Sequence, residues 1–236
     1  MAQLQAEIDS SNADPNRYHL FVKAGKDGMS LGSCIHCHSM FMYMCAKSMD
    51  FSYTIVDVRK NQQQLKEFSP GGRLPLLVKF EEGEVKTALT GVPELEDFLS
   101  LSTAPGNEIR GEKSAERIVE DILTKFSAYI RNKDTSHNDK MLSSLLTKLQ
   151  HVDDFISQTG LKFLSSDTQL TLADCSLLPR LFHIVTACKK LKSYDIISKN
   201  THFKNLWRYY CDGLSTEEFK MTSYPENEIV FYWSNL

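Results

Sequence analysis

Apolar side chains fall in short strand-like runs over the first hundred residues and at helical spacing over the rest. Residues 18–24, Tyr-His-Leu-Phe-Val-Lys-Ala, predict a buried strand, followed by a loop carrying Gly25, Gly28 and Gly32 that ends at Cys34. A helix is expected from Cys34 to about Met49. The aromatic and β-branched run 51–58 predicts a second strand, and 62–68 a second helix closed by Pro70-Gly71-Gly72. Residues 76–80 and 85–87 form a hairpin around Glu81-Glu82-Gly83, after which Pro93 opens a helix to Leu101. The expected order is βαβαββα.

From residue 102 to 107 the chain turns small and polar, which predicts a linker. Beyond it, Ile118, Ile122, Phe126 and Tyr129 recur at three to four residues, as do Leu142, Leu145, Leu149, Val152 and Ile156. A further helix over 172–189 starts at Thr171-Leu172-Ala173-Asp174, which has the form of a capping box. The expected organisation is a tail at 1–17, an α/β domain at 18–101, and an all-helical domain at 108–236.

Charge narrows the function classes. Lys+Arg total 27 and Asp+Glu 30, a net charge of −3, so no global electrostatic pull toward nucleic acid is expected and nucleic-acid partners are excluded. Residues 1–17 are polar and acidic and lack an apolar signal core, which points to the cytosol and to reduced cysteines at 34, 37, 45, 175, 188 and 211. The basic run around Lys189-Lys190-Leu191-Lys192 reads as a solvated helix end, with a nuclear address as the other reading. The longest stretch without charge, from Gly28 to Ala46, includes Ser30, Ser33, His36, His38 and Ser39 and is too polar for a stable membrane span. Met40, Phe41, Met42, Tyr43 and Met44 make the first helix apolar on nearly all sides. That predicts burial between two layers, with departure into a bilayer as the minor alternative.

The candidate chemistry lies at Cys34-Ile35-His36-Cys37, between the first strand and the first helix. At a helix N-terminus the unpaired backbone N–H groups and the dipole stabilise a thiolate, so Cys34 is the expected nucleophile. Cys37, one turn on, is the expected resolving thiol, and a protonated His36 would favour the thiolate further. Two inert helical thiols, or a metal site built on Cys34, Cys37 and His38, are the competing readings. The metal reading lacks a fourth ligand, because no second Cys/His cluster has suitable spacing, and no metal is expected. Arg73-Leu74-Pro75-Leu76 places a proline ahead of a strand, compatible with a cis bond and with a Leu74 main chain open to an extended ligand.

Residues 20–25 (Leu-Phe-Val-Lys-Ala-Gly), Cys34, residues 70–75 (Pro-Gly-Gly-Arg-Leu-Pro), residues 125–130 (Lys-Phe-Ser-Ala-Tyr-Ile) and residues 170–179 (Leu-Thr-Leu-Ala-Asp-Cys-Ser-Leu-Leu-Pro) resemble the chloride intracellular channel family, as do Glu218-Phe219 and Glu228-Ile229. The resemblance implies the omega-class glutathione-transferase fold: a thioredoxin-like first domain and an all-α second domain. It also implies glutathione-dependent thiol–disulfide chemistry at Cys34, with glutathione or protein thiols as partners and with Lys23, Leu74, Pro75, Gly91 and Val92 around the glutathione site. Its other implied behaviour is redox- or pH-dependent insertion through the segment from Cys34 to Val58, with membrane lipid as partner, chloride as permeant ion and self-association on insertion. The implied location is cytoplasmic with conditional membrane association, or nuclear. The chain departs from the family's Cys-Pro-Phe-Ser/Cys in carrying Cys-Ile-His-Cys. Gly91-Val92 stands where an acid–Thr pair would hold the γ-glutamyl group, so glutathione is expected to bind weakly or as a mixed disulfide. Lys47, Asp50 and Asp57 make the membrane segment expensive unless they face water.

Overall fold

A computed structural model describes residues 17–69, 71–82, 84–101 and 113–236. The expected linker at 102–107, and the expected tail apart from Arg17, lie outside the described residues. The chain divides into two compact units, Met1–Asn107 and Glu108–Leu236.

The first unit runs β1 (Tyr18–Lys23), α1 (Ile35–Ala46), β2 (Phe51–Val56), α2 (Gln62–Phe68), β3 (Leu76–Glu81), β4 (Glu84–Thr90) and α3 (Val92–Leu101). The four strands form one sheet in the order β2-β1-β3-β4. β1 pairs in parallel with β2, from Tyr18 against Phe51 to Lys23 against Val56. β3 is antiparallel to both neighbours, with Leu76 opposite Phe21 on one side and Thr90 on the other. This register gathers the ends of β1, β2 and β4 and the start of β3 at one end of the sheet.

Alternation along the strands divides the core into two layers. Phe21, Val56, Leu76, Val78 and Phe80 pack with Leu65, and Phe68 of α2 closes over them. On the other face Phe41 of α1 packs against Phe51 and Tyr53, and Tyr18 meets Phe98 of α3 edge-on. The α1 side chains from Cys37 to Met44 are all buried, as expected of a helix that lacks a polar face.

α1 stops at Ala46, three residues short of the expected end. Lys47 is only 5% exposed; its ammonium donates to the Leu99 carbonyl and lies over the Tyr43 ring, which ties the end of α1 to α3. Ser48 then takes a positive φ of 49°. The strand expected over 51–58 ends at Val56, because Asp57 bends back to accept from the Arg59 backbone and guanidinium.

The second unit, among the described residues, is helical: α4 (Lys113–Ile118), α5 (Ile122–Arg131), α6 (Thr135–Thr159), α7 (Leu172–Leu191), α8 (Lys204–Leu214), α9 (Glu217–Thr222) and α10 (Glu226–Ser234). The periodic run through Ile118 and Ile122 is two helices, broken where Asp121 takes a φ of 61°. The expected capping box at α7 is formed, with the Thr171 N–H and hydroxyl donating to Asp174 Oδ2 at 2.8 and 2.6 Å. Asp174 Oδ1 accepts from the Leu164 N–H at 2.9 Å and the Tyr209 hydroxyl at 2.8 Å, so one buried carboxylate joins the preceding loop, α7 and α8. Asp153 of α6 caps α8 in a comparable way, accepting from the Leu206 N–H and the Asn205 side chain.

Candidate functional site

Cys34 occupies the N-cap of α1 in an extended conformation, with φ −92° and ψ 109°. The loop before it is held from two sides. Gly32 N–H donates to the Lys23 carbonyl and Ala24 N–H to the Val56 carbonyl, both at 2.9 Å. Asp27 Oδ1 accepts from the N–H groups of Met29 and Ser30. Arg59, held against Asp57, donates to the Lys26 carbonyl at 3.3 Å. Gly28 has a φ of +74°, and a Cβ there would lie 2.6 Å from Asp57 Oδ2, so this turn needs glycine on both counts. From the sequence Asp57 reads only as an obstacle to membrane insertion. The visible signal of this tie is the conjunction of Gly28 with Asp57-x-Arg59.

The two thiols are unlike. Cys34 is half-buried at the helix end, and Cys37 is 3% exposed with its Sγ accepting the Lys23 N–H at 3.4 Å. The Cys37 thiol donates to Cys34, which lowers the Cys34 pKa from 9.0 to about 7. The N–H groups of Cys37 and His36 and the charge on Lys23 push the same way, against the opposing effect of burial. Burial is the main cause that raises the Cys37 pKa well above the ordinary thiol value, and the neighbouring Cys34 adds to it. One sulfur therefore ionises near neutral pH while the other stays a thiol. His38 is buried inside α1, and desolvation lowers its pKa to about 3, so it is a neutral core side chain at the pH where Cys34 ionises. No group of three or more His, Cys, Asp or Glu side chains suited to a metal ion occurs among the described residues.

The other expected site residues converge on the same end of the sheet. Leu76, which follows Pro75, pairs with Phe21, two residues before Lys23; Thr90, which precedes Gly91, pairs with Leu76 on its other side. The Leu74–Pro75 bond is cis. Among the described residues the main-chain N–H and C=O of Leu74 have no hydrogen-bond partner, whereas the Arg73 N–H is taken by Ser69 Oγ. Gly91 has a φ of +102° with open space where a side chain would project, and its carbonyl accepts the Leu95 N–H at the start of α3. An acid at Gly91 would find room but meet backbone strain. The first turn of α3 also contains Pro93, which has no N–H, and the exposed Glu94.

No helix among the described residues is long and apolar enough to cross a membrane. α1, the apolar part of the expected membrane segment, has 12 residues and spans about 18 Å, against roughly 30 Å of bilayer hydrocarbon.

Residues 16–106 match the family model of the CLIC-like N-terminal domain. Over 233 residues the sequence is 33% identical to chloride intracellular channel protein 3 of Mus musculus, covering 92% of this chain and 95% of that protein. The crystal structure of Chlamydomonas reinhardtii dehydroascorbate reductase superposes with a TM-score of 0.81 at 21% identity, over 94% of this chain and 99% of that one. The CLIC homologue EXC-4 from C. elegans superposes with a TM-score of 0.80 at 23% identity, over 99% of this chain and 88% of that one. At these identities the two structures establish the fold: a thioredoxin-like α/β unit and a helical unit, as in glutathione transferases.

Proposed function

Because this chain belongs to the chloride intracellular channel family, we propose that its folded form carries out thiol–disulfide exchange at Cys34, with Cys37 as resolving thiol. The observation that carries the reading is the asymmetric pair: a helix-capping Cys34 with its pKa lowered to about 7, hydrogen-bonded by a buried Cys37 whose pKa is raised. The thiolate attacks a disulfide sulfur, one substrate thiolate leaves and takes a proton, and a mixed disulfide remains on Cys34. Cys37 then loses its proton and attacks Cys34 Sγ, which releases the second substrate thiol and leaves a Cys34–Cys37 disulfide. Two electrons pass from the pair to the substrate, and an external thiol or dithiol restores the pair.

Glutathione is expected at this site mainly as a mixed disulfide, beside Lys23, Leu74 and Pro75, because Gly91 and Val92 offer its γ-glutamyl end no charged or hydroxyl partner. The test is mass spectrometry of the protein after exposure to glutathione disulfide. A glutathione adduct of Cys34 that builds up in Cys37→Ser and resolves in the unsubstituted protein is expected; modification elsewhere with Cys34 untouched would refute the assignment.

A second reading is conditional insertion of the segment from Cys34 to Val58 as an anion pathway, from a form that is otherwise cytoplasmic. Family membership and the all-round apolar character of α1 favour it. The folded helix is too short to span, so α1, its following turn and β2 would have to refold as one helix of about 37 Å. Lys47 would lose its Leu99 partner in that change. Self-association would then give Lys47, Asp50 and Asp57 a shared aqueous pathway to face.

A further inference from the structure

The two edges of the sheet are not alike. Along β4 the side chains of Glu84 and Lys86 are exposed, and the ladder to β3 shifts register between Lys79 and Phe80. Exposed charges and such irregularities keep an edge from pairing with another chain. The β2 edge has neither. Its residues, Phe-Ser-Tyr-Thr-Ile-Val from 51 to 56, include no charge, proline or glycine, and they pair with β1 in unbroken register. Among the described residues no strand lies on the outer side of β2.

The register shows which main-chain groups that outer side presents. The Val56 carbonyl accepts the Ala24 N–H at 2.9 Å, so Val56 turns its main chain toward β1, and by alternation Thr54 and Ser52 do the same. Phe51, Tyr53 and Ile55 therefore turn their N–H and C=O groups outward, where among the described residues no hydrogen bond reaches them. The Phe51 and Tyr53 rings sit on Phe41 of α1, and Tyr53 is 48% exposed. An outward row of donors and acceptors with partly exposed apolar side chains beside it is a template for another strand.

Charge identifies the strand that fits. An edge without charges meets a copy of itself without repulsion, and the flanking residues decide the direction. Asp50, exposed, precedes β2; Lys60, also exposed, follows it, and Asp57 between them is held by Arg59. Parallel self-pairing would set Asp50 beside Asp50 and Lys60 beside Lys60. Antiparallel pairing instead brings the acidic end of each copy to the basic end of the other.

The geometry points to a dimer of the folded protein in which β2 pairs antiparallel with β2 of a second copy, Tyr53 opposite Tyr53, to make one continuous sheet. In this register Phe51 lies opposite the second copy's Ile55, and every outward N–H and C=O of Phe51, Tyr53 and Ile55 finds a partner. The association needs neither a membrane nor a cysteine. One strand pair buries less than the roughly 1,200 Å² of a stable interface, so the dimer is weak, with a dissociation constant of about 10–100 μM.

The test is sedimentation velocity of the full-length protein, reduced with dithiothreitol and free of lipid, from about 1 to about 300 μM. A monomer at the low end that becomes a dimer at the high end is expected. Tyr53→Pro removes an outward N–H and leaves the β1 ladder intact, so it should stay monomeric throughout with unchanged far-UV circular dichroism. Asp50→Lys should weaken association severalfold, and Asp50→Lys combined with Lys60→Asp should recover it. Amide exchange followed by NMR adds a readout that needs no variant: Phe51, Tyr53 and Ile55 should be protected only at high concentration, whereas Ser52, Thr54 and Val56 should be protected at both. A monomer at every concentration, a dimer that survives Tyr53→Pro, or exchange at Phe51, Tyr53 and Ile55 that ignores concentration would overturn the proposal. Should Tyr53→Pro fail to fold, the charge exchange and the alternating protection decide it.

Discussion

The backbone N–H of Lys23, the last residue of β1, donates to Cys37 Sγ at 3.4 Å, so the central strand of the sheet holds the second thiol while the first stays at the open end of the helix. The two cysteines on one helix turn differ in chemistry because burial raises the Cys37 pKa against the opposing effect of this hydrogen bond. Cys34 receives hydrogen bonds and the influence of the Lys23 charge; Cys37 gives up its proton only at the cost of ionising in the core.

The roles follow from that difference. Cys34→Ser should abolish reduction of any disulfide. Cys37→Ser should retain the first exchange and stop at the mixed disulfide unless excess external thiol resolves it. Alkylation by iodoacetamide at pH 6, read by peptide mass spectrometry, should label Cys34 before Cys37, and the reverse order would exchange their roles.

Two buried histidines predict an acid-labile first unit. His19 bridges Ser52 and Thr54 on β2 through its two ring nitrogens, at 2.7 and 3.0 Å. Burial, aided by the charge on Arg17, lowers its pKa to about 4, and burial alone lowers that of His38 to about 3. Below pH 6.5 the unfolded chain binds protons at both positions and the folded chain does not, so stability falls as pH drops through 6.5 and keeps falling until the folded pKa values are reached. Between pH 7 and pH 5 each histidine should remove about 2 kcal/mol. Urea unfolding at the two pH values, followed by a signal from the first unit, should show this loss. It should be roughly halved in His38→Leu, and an equal loss in wild type and variant would show that His38 is not its source.

Much of this fold is legible in the sequence because local signals agree with it. The strand-like runs, the Gly-bearing loop ending at Cys34 and the capping box before α7 each arise from neighbours within a few residues. What was not legible depends on partners distant in the chain. Lys47 looks like the solvated end of a longer helix until Leu99 supplies a carbonyl for it. Asp57 reads as a costly charge in the expected membrane segment until Arg59 and Gly28 show that it braces the loop before Cys34. His19 reads as one polar residue in an apolar strand, and only the β1–β2 register places two hydroxyls beside its ring. Cys34, Cys37, Leu74 and Pro75 are legible as local motifs and Lys23, Gly91 and Val92 only through the family resemblance, while their assembly at one end of the sheet rests on strand order, which local patterning does not encode.

In the second unit Asp174 should matter more than any other buried acid described here, because four donors converge on it. Burial raises the Asp174 pKa, and the four donors oppose that rise without cancelling it. Asp174→Ala would leave the Leu164 and Thr171 N–H groups and two hydroxyls without their acceptor, at a cost of about 3 kcal/mol or more. Thermal unfolding should show a lower midpoint for the second unit. A shift no greater than that of an exposed control such as Asp154→Ala would mean that water replaces the carboxylate freely.

For membrane insertion, acidification should help by destabilising the packed first unit. Anion efflux from vesicles should rise between pH 7 and pH 5. Met44 is a poor place for a blocking charge because it is fully buried in the folded form, so a charge there would disturb both states. Tyr53 is 48% exposed and lies within the segment, so Tyr53→Asp, which removes the ring contact with Phe41, should disturb the folded form less than a charge at Met44 and reduce efflux severalfold. Efflux equal at both pH values, or unchanged in Tyr53→Asp, would exclude this segment as the pathway.

The most direct test is the titration of Cys34 itself, by thiolate absorbance and by iodoacetamide rate against pH, in a variant that keeps Cys34 and Cys37 and replaces the remaining cysteines with alanine. A midpoint near 7 that rises when Cys37 is also replaced by alanine is the expected result, because the Cys37 thiol is the first cause of the lowered value. A midpoint at or above the ordinary thiol value of about 8.5, or one indifferent to Cys37, would contradict the assignment of Cys34 as an activated nucleophile.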